Sequence, residues 1–597
     1  VTEKQLMAEA LNSFCVGKAT LAGIRQAVKE APLIRREWNG RMFVTTERVL
    51  AEEKRIAGKC LAGKGKYEPM NEFWKIEDKT LNDQQQNAVR HVLNSTDFIT
   101  GIAGWAGVGK TTLLYELRRG IQSGMHKIVA LAPTSEAARE VLRKEGFDNA
   151  ETVAKLLKSE RLQREARGAV WLVDEAGLLP MQDADRLIAL AEKLEARLVF
   201  VGDPKQHHPV QRGQAFDHLR KKGGMEVAEV TKILRQKGMH RRFVEQVIAE
   251  DIPAAIETLK ELDWAFEMTL EERKIALAKD YISAIEHGNT ALVIAPTHAE
   301  CADVTEGIRH ALKEKKALKG GVEWDVLRNL SWTDAQKSDS DKYEKWQIVQ
   351  INDHVKGFAL GEQVEVIGVC DGMVRVRCKD GYNSNIRALP LSEPETFSVY
   401  ERAKMEICEG DRLRITGNGR TADKHPLNNK SVYAVDYISH DGKIVLENGL
   451  KIDQEFKHLD YGYTLTSHAA QGKTVDWVFV AQSAELSYGA SDLNQFYVST
   501  SRGRKGVKLY TDDLELLIEN VSRRRERPMA TEMLQGKAEE RAVEFQADNS
   551  EAVEMKVSDS LGKTEAGELA MEAELERIML EKQEQELEQE EEMVMEM

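Results

Sequence analysis

Cysteine is scarce and scattered: Cys15, Cys60, Cys301, Cys370, Cys378 and Cys408 never form a C-x-x-C pair. That pattern indicates neither a disulfide framework nor a structural zinc site, and the thiols are read as reduced. No two histidines stand at H-x-H or H-x-x-x-H spacing, so no histidine pair is available to complete a metal set. Long apolar runs are missing too. "VWLV" and "ALVIA" fall far short of the ~20 residues that span a bilayer, and the opening "VTEKQLMAEALNSF" lacks a basic-then-apolar signal pattern. The expectation is a cytoplasmic chain without membrane insertion.

An excess of charge of one sign is missing from most of the chain. The net charge is -15, yet Met529 to Met597 holds 21 Asp+Glu against 6 Lys+Arg, which leaves 78 against 78 upstream. A neutral body can still carry a basic groove, so charge neither supports nor excludes nucleic acid. The acidic stretch, taken as residues 526–597, has Phe545 as its only aromatic residue. It reads as a solvated tail or a lone charged helix, with an interaction arm as the alternative.

With 597 residues and 42% hydrophobic composition, a prior of roughly 150 residues per domain gives three or four domains. The runs "DFITGIA", "KIVALAP", "AVWLVDEA" and "RLVFVGD", each followed by a helix-like or loop segment, predict an α/β fold with a parallel sheet wrapped by helices. A second set starts at "TALVIAPTH" and resumes only at "VDWVFVA" and "GVKLYTDD". Between them "EQVEVIGVCDGMVRVRCKDG", "GDRLRITGNG" and "SVYAVDYISHDGKIVLENG" alternate around tight-turn signals, which predicts an inserted small β-barrel. Residues 1–77 read as a mostly helical accessory region.

"GWAGVGKT", Gly104 to Thr111, fits G-x-x-x-x-G-K-[ST] between an apolar strand and a helix-like segment. Glycines such as Gly104, Gly107 and Gly109 let backbone N–H groups close on phosphates at a helix N-terminus. Lys110 then reaches the β and γ phosphates, Thr111 ligates Mg²⁺, and Thr112 follows on the same turn. ATP and Mg²⁺ are the cofactors this implies. In "WLVDEAG", Asp174 is assigned to the metal and Glu175 to orienting and deprotonating water. "VFVGDPKQ" ends a third strand at the same sheet edge, where Gln206 can sense the γ-phosphate. The adjacent His207 and His208 point in roughly opposite directions if their loop is extended, and loop packing or a contact on the DNA side suits them better than metal. Trp477, Tyr463 and Phe243 could stack bases but read as core.

Together these motifs resemble superfamily 1 helicases of the RecD-like branch, over roughly Leu81 to Asp513. The resemblance implies a motor that uses ATP to move 5′ to 3′ along single-stranded DNA. "LNDQQQNAV" is similar to the family's Q-motif, in which Gln85 would read adenine. "LAPTSEAAREVL" resembles motif Ia, with Pro133 and Thr134 near the DNA backbone, and "APTH" resembles a second DNA-contact loop with Thr297 and His298. "ILRQ" supplies Arg235. "TSHAAQGKT" matches motif V, with Thr466 and His468 toward DNA and Gly472 toward nucleotide, and "YVSTSRGR" matches motif VI with Arg502 as arginine finger. His207 departs from the leucine often found at its position.

The implied architecture is two RecA-like P-loop domains, 78–225 and 226–324 plus 460–525, with an SH3-like insertion at 325–459. Only "KSERLQREARG" is available for a strand-separating wedge, which makes translocation the safer reading than unwinding. "RMFVTTERVLAEE" near the start resembles the segment preceding the helicase in MobF conjugative relaxases, but their three-histidine metal site is not present in this sequence. The chain is then a helicase portion, a truncated homologue or a split gene product, acting in plasmid or conjugative DNA processing. Its implied partners are single-stranded DNA and a relaxase domain or other conjugation protein, and the motor is expected to be monomeric. A superfamily 1 RNA helicase, or a DNA-binding scaffold that uses nucleotide only as a switch, remain alternatives.

Overall fold

The computed structural model describes residues 1–11, 20–135, 137–143, 146–209, 211–380, 383–421, 423–523 and 527–534. Most of the acidic stretch, from residue 535 on, therefore lies outside the described residues. No described helix is long and apolar enough to cross a membrane.

The first parallel sheet has six strands in the order Glu151–Thr152, Ile128–Ala132, Val170–Val173, Arg197–Gly202, Ile99–Gly104 and Val227–Val230. Its central strands are buried along their whole length. Helices cover both faces, so each of these strands reads as a continuous apolar run rather than an alternation. One core, around Trp171, Leu198 and Phe200, packs against helices Glu47–Ala62 and Met181–Lys193. The other holds Leu113, Leu117 and Val201 beneath helices Asp83–Asn94 and Lys110–Ser123.

The second parallel sheet runs Thr464–Thr466, Ala291–Ala295, Val475–Ala481, Gly503–Thr511 and Ala265–Glu267. Two of its neighbouring strands, Ala291–Ala295 and Thr464–Thr466, are separated by the whole insertion. Tyr463 and Phe243 are buried in the cores that flank this sheet, and Trp477 meets Trp264 edge-on at 5.4 Å. All three aromatics are packing residues.

Two expectations need correction. The insertion, expected as one small barrel, holds three antiparallel sheets of six, five and two strands among the described residues. A six-stranded sheet begins at Lys319–Asn329 and a five-stranded one closes at Leu459–Tyr461. Strand Phe397–Glu409 serves two cores: Phe397 and Val399 enter one, Met405 and Ile407 the other. The strand's charged outer positions hid its alternation. The N-terminal region is also less helical than expected. Besides helices Glu3–Glu9, Leu21–Glu30 and Glu47–Ala62 it contains a hairpin, Ile34–Trp38 with Arg41–Thr45. Its two-residue turn, Asn39-Gly40, has φ of 46° and 69°, the left-handed pair that suits the twist of an antiparallel hairpin.

Candidate functional site

The loop after Ile99–Gly104 turns back on itself at Gly107 and Gly109, with φ of +81° and +76°. A Cβ on Gly107 would stand 2.8 Å from the Cβ of Arg235, and one on Gly109 2.8 Å from Nε2 of Gln85. Glycine is needed here for conformation and for space. Helix Lys110–Ser123 follows with Gly109 as its N-cap and no side-chain cap. The positive end of the helix dipole faces any anion bound in this loop. Lys110 Nζ donates to Gly104 O at 2.7 Å.

Gln85 braces this loop from behind. Its Nε2 donates to the carbonyls of Val108 and Gly109 at 3.0 and 3.2 Å, while its Oε1 accepts from Asn82 N in a capping box. Gln85 is buried and does not line the cavity described below. Gly104 and the exposed Thr112 also stand outside its lining.

Strand Val170–Val173 delivers Asp174 and Glu175 to the same edge. Glu175 adopts φ +51°, a left-handed conformation that costs a non-glycine residue and is found where a side chain must be aimed. Its Oε2 accepts from Gln471 Nε2 of the second-sheet region at 3.2 Å. After Arg197–Gly202, Asp203 Oδ2 accepts from Gln206 Nε2 at 2.9 Å and from the Tyr497 hydroxyl at 3.0 Å.

A cavity of about 450 Å³ opens between these strand ends and the second sheet. Gly107, Gly109, Lys110, Thr111, Asp174, Glu175 and Gln206 line it from the first-sheet loops, Arg235 lies against Gly107, and His468, Gln471, Gly472 and Arg502 line it from the second-sheet region. Arg235 N donates to Gly107 O at 3.0 Å and its Nη1 to Ser501 O at 2.9 Å. Arg502 is held by Nε to Val498 O at 2.9 Å and Nη2 to Ser501 Oγ at 3.0 Å. Burial, then the neighbouring Arg502, pushes Arg235 down to about 9, and burial lowers Arg502. Two desolvated guanidiniums side by side leave a gap whose electrostatics call for an anion. Thr111 and Asp174 offer a hydroxyl and a carboxylate, the hard oxygen donors that suit Mg²⁺.

Several side chains that bind the two halves together drew no expected role from the sequence, although Tyr497 and Gln236 stand inside quoted motifs. The Tyr497 hydroxyl accepts from Ala106 N at 2.7 Å while donating to Asp203, and burial followed by the Asp203 charge raises its proton affinity well above the usual phenol range. It stays a neutral donor. Asn494 Nδ2 donates to Lys205 O and Gln206 O at 2.8 Å, and Gln236 Nε2 to Ser501 O and Gly503 O at 3.0 and 2.7 Å. Each partner lies hundreds of residues away in sequence, beyond the reach of local pattern.

The residues expected to face nucleic acid divide. Pro133 and Thr134 follow strand Ile128–Ala132; Thr134 Oγ1 accepts from Ala137 N at 3.2 Å and the residue also lines the cavity. Thr297 caps helix His298–Glu314, where His298 is exposed. Thr466 ends its strand opposite Ala295. These five collect at the C-terminal edges of the two sheets. His468 is turned inward instead, stacked on His207 with ring centroids 3.6 Å apart and planes 13° from parallel. His207 is buried and His208 half-buried. No group of three or more metal-ligating side chains occurs among the described residues.

Burial first, then the charges of His468, Arg502 and His208, hold His207 well below its ordinary value of 6.5, and burial also lowers His468. The unfolded chain therefore takes up these protons before the folded one. Stability from the stacked pair is fully present above 6.5 and is lost as pH falls toward the lowered folded value. Within that window the unfolding free energy from urea titrations is expected to fall by up to about 1.4 kcal/mol per pH unit for His207 alone. His207→Leu should flatten that part of the slope. An unchanged slope in the variant would show that His207 is already protonated in the folded chain.

Residues 80–269 match the family model described as "AAA domain". The chain is 24% identical over 523 residues to the multifunctional conjugation protein TraI of Escherichia coli, an alignment covering 77% of this chain and 29% of that protein. It is 23% identical over 434 residues to the probable conjugal transfer protein TraA of Sinorhizobium fredii, covering 72% of this chain and 32% of TraA. The chain thus spans about three-tenths of the length of these curated relatives. Among solved structures, a Pif1 helicase from Candida albicans aligns over 74% of this chain and 97% of its own, at 16% identity and a TM-score of 0.37. Residues 80–269 thus match an AAA domain, and the chain as a whole is distantly similar to the conjugation proteins TraI and TraA.

Proposed function

We propose that this chain is an ATP-driven, monomeric motor that moves 5′ to 3′ along single-stranded DNA in conjugative or plasmid DNA processing. One observation carries the reading. Arg235, packed on the Gly107 loop, and Arg502, from the second-sheet region, line the same cavity as Lys110, Asp174, Glu175 and Gln206, a set of groups suited to stabilising phosphoryl transfer.

In this reading Lys110 and the first N–H groups of its helix bind the β and γ phosphates. Thr111 and Asp174 hold Mg²⁺, which when bound neutralises charge on the phosphate oxygens. Glu175 orients the attacking water and takes its proton, Gln206 reports the γ-phosphate to Asp203, and the arginines meet the charge that develops. Gln85 supports the loop, and an adenine contact would require one of its present hydrogen bonds to open. Because the two sheets are joined across the cavity by Tyr497, Asn494 and Gln236, the nucleotide state would alter the gap between them. Pro133, Thr134, Thr297, His298 and Thr466 at the sheet edges would follow the DNA backbone through that change. The working units would be the first sheet, which keeps strand Val227–Val230 beyond the expected boundary at 225, the second sheet, and the insertion from Lys319–Asn329 to Leu459–Tyr461, which shifts the expected boundaries at 324 and 459 by a few residues. The names of the relatives favour conjugation, with a relaxase or other conjugation protein as partner.

The test is displacement of a labelled strand from duplexes carrying a 5′ or a 3′ single-stranded tail, with ATP and with Lys110→Ala as control. Displacement from the 5′ tail alone is expected. Activity only from the 3′ tail would overturn the polarity, and stimulation of hydrolysis by poly(U) but not poly(dT) would overturn DNA as the track.

A further inference from the structure

The cavity has a contributor from outside both parallel sheets. Lys430, on the loop before strand Val432–Ile438 of the antiparallel insertion, lines it together with His468 and Gln471. Its backbone is firmly set: Lys430 N donates to Ile415 O at 2.7 Å, Ile415 N to Ser431 O at 2.9 Å, and Asn429 N to Asn418 Oδ1 at 3.0 Å. The residue has φ +73°, where glycine or asparagine would be easier. A lysine kept in that conformation suggests that its side chain is used.

Charge gives the side chain a task. Lys110, Arg235 and Arg502 already donate to protein oxygens. Lys430 is half-buried, and its ammonium meets no acceptor among the described residues. It lies close enough to His468 for its charge to oppose protonation of that ring. His468 is three residues before Gln471, whose amide reaches Glu175 at 3.2 Å. Lys430 therefore belongs to the end of the cavity marked by His468, Gln471 and Glu175. In a triphosphate bound along the Lys110 helix, the group at that end is the terminal phosphate.

We propose that Lys430 is a nucleotide-binding residue supplied by the insertion, and that its ammonium binds the terminal phosphate of a nucleoside triphosphate and not a diphosphate. The inference rests on the reading of the cavity as an ATP site. Its consequence is that the insertion is tied to the cavity only while the third phosphate is present, so nucleotide state reaches the insertion directly as well as through the paired sheets.

The experiment is equilibrium binding of fluorescently labelled ATPγS and ADP, with Mg²⁺, to the full chain, to Lys430→Ala and to Lys430→Arg. Lys430→Ala should weaken ATPγS by about tenfold to a hundredfold, the range for one hydrogen bond to a charged group. ADP should change by less than about twofold, and Lys430→Arg should restore most of the ATPγS affinity. Equal weakening of both nucleotides would reduce Lys430 to a structural role in its loop and overturn the proposal. So would wild-type ATPγS affinity in Lys430→Ala. A wild-type chain that binds neither nucleotide would overturn the ATP reading itself, and this inference with it.

Discussion

Arg502→Ala is expected to slow DNA-stimulated ATP hydrolysis by about 10³-fold or more, the scale for an arginine that stabilises a transferring phosphoryl group. The guanidinium is 2% exposed and fixed by Val498 O and Ser501 Oγ before any ligand arrives. A donor already in position needs no reorganisation when charge develops, which is where such groups gain most. Binding should behave differently. Arg502 and Arg235 are buried beside each other and disfavour each other's charge, so losing one relieves the empty cavity while removing an attraction for phosphate. ADP affinity should therefore fall far less than turnover. Arg502→Lys should recover little, because an ammonium is a point charge and cannot hold Val498 O, Ser501 Oγ and phosphate from one plane as the guanidinium fork does. Stopped-time assays of phosphate release with saturating poly(dT) check this, with circular dichroism to verify the fold. Turnover within about tenfold of wild type in a folded variant would remove Arg502 from the catalytic role.

The parts of the site that were legible in the sequence share a physical cause. "GWAGVGKT", "WLVDEAG" and "VFVGDPKQ" each follow a strand buried on both faces. Such strands must be continuous apolar runs, and a parallel sheet brings their C-terminal ends to one edge. Local pattern alone therefore predicts the meeting of Lys110, Asp174, Glu175 and Gln206, and the cavity contains all four. What was illegible depends on the partner rather than the residue. Tyr497 opens the stretch "YVSTSRGR", but nothing in that stretch shows that Ala106 N, 391 positions away, donates to its hydroxyl. Gln85 shows the converse, because its motif suggested a ligand contact and its amide is occupied by the loop backbone.

His207 illustrates the same limit within one loop. Standing beside His208 it reads as a loop-packing residue or a DNA-side contact rather than a metal ligand, and its actual neighbour, His468, follows a strand of the other sheet. A stack 3.6 Å deep fills the space between the two motif loops with flat neutral rings. The Asn39-Gly40 turn carries a hairpin signal that the mostly helical reading of residues 1–77 passes over. Its flanks, "IRREW" and "RMFVT", carry too many charges to stand out as strands, and the helical segments around them dominated the reading.

Glu175→Gln should reduce hydrolysis by about 10²- to 10⁴-fold, the contribution of a positioned general base, while nucleotide binding survives better than in Lys110→Ala. The substitution preserves volume and leaves an amide oxygen able to accept from Gln471 Nε2, as Oε2 does now at 3.2 Å. The left-handed backbone at this residue is tolerated no worse by glutamine than by glutamate. Nothing in the packing should change, so the loss isolates the proton-accepting step. Single-turnover hydrolysis alongside labelled-nucleotide binding separates the two effects. The contact with Gln471 adds a second expectation. That residue comes from the second-sheet region, so the carboxylate is oriented fully only when the two sheets are closed over the cavity, and an oriented base acts only in that state. Gln471→Ala should then lower DNA-stimulated turnover less than Glu175→Gln does, because the base remains but loses its guide. Near-wild-type hydrolysis by Glu175→Gln would mean that the water is activated elsewhere, and closure would then have to be coupled to chemistry through the arginines alone.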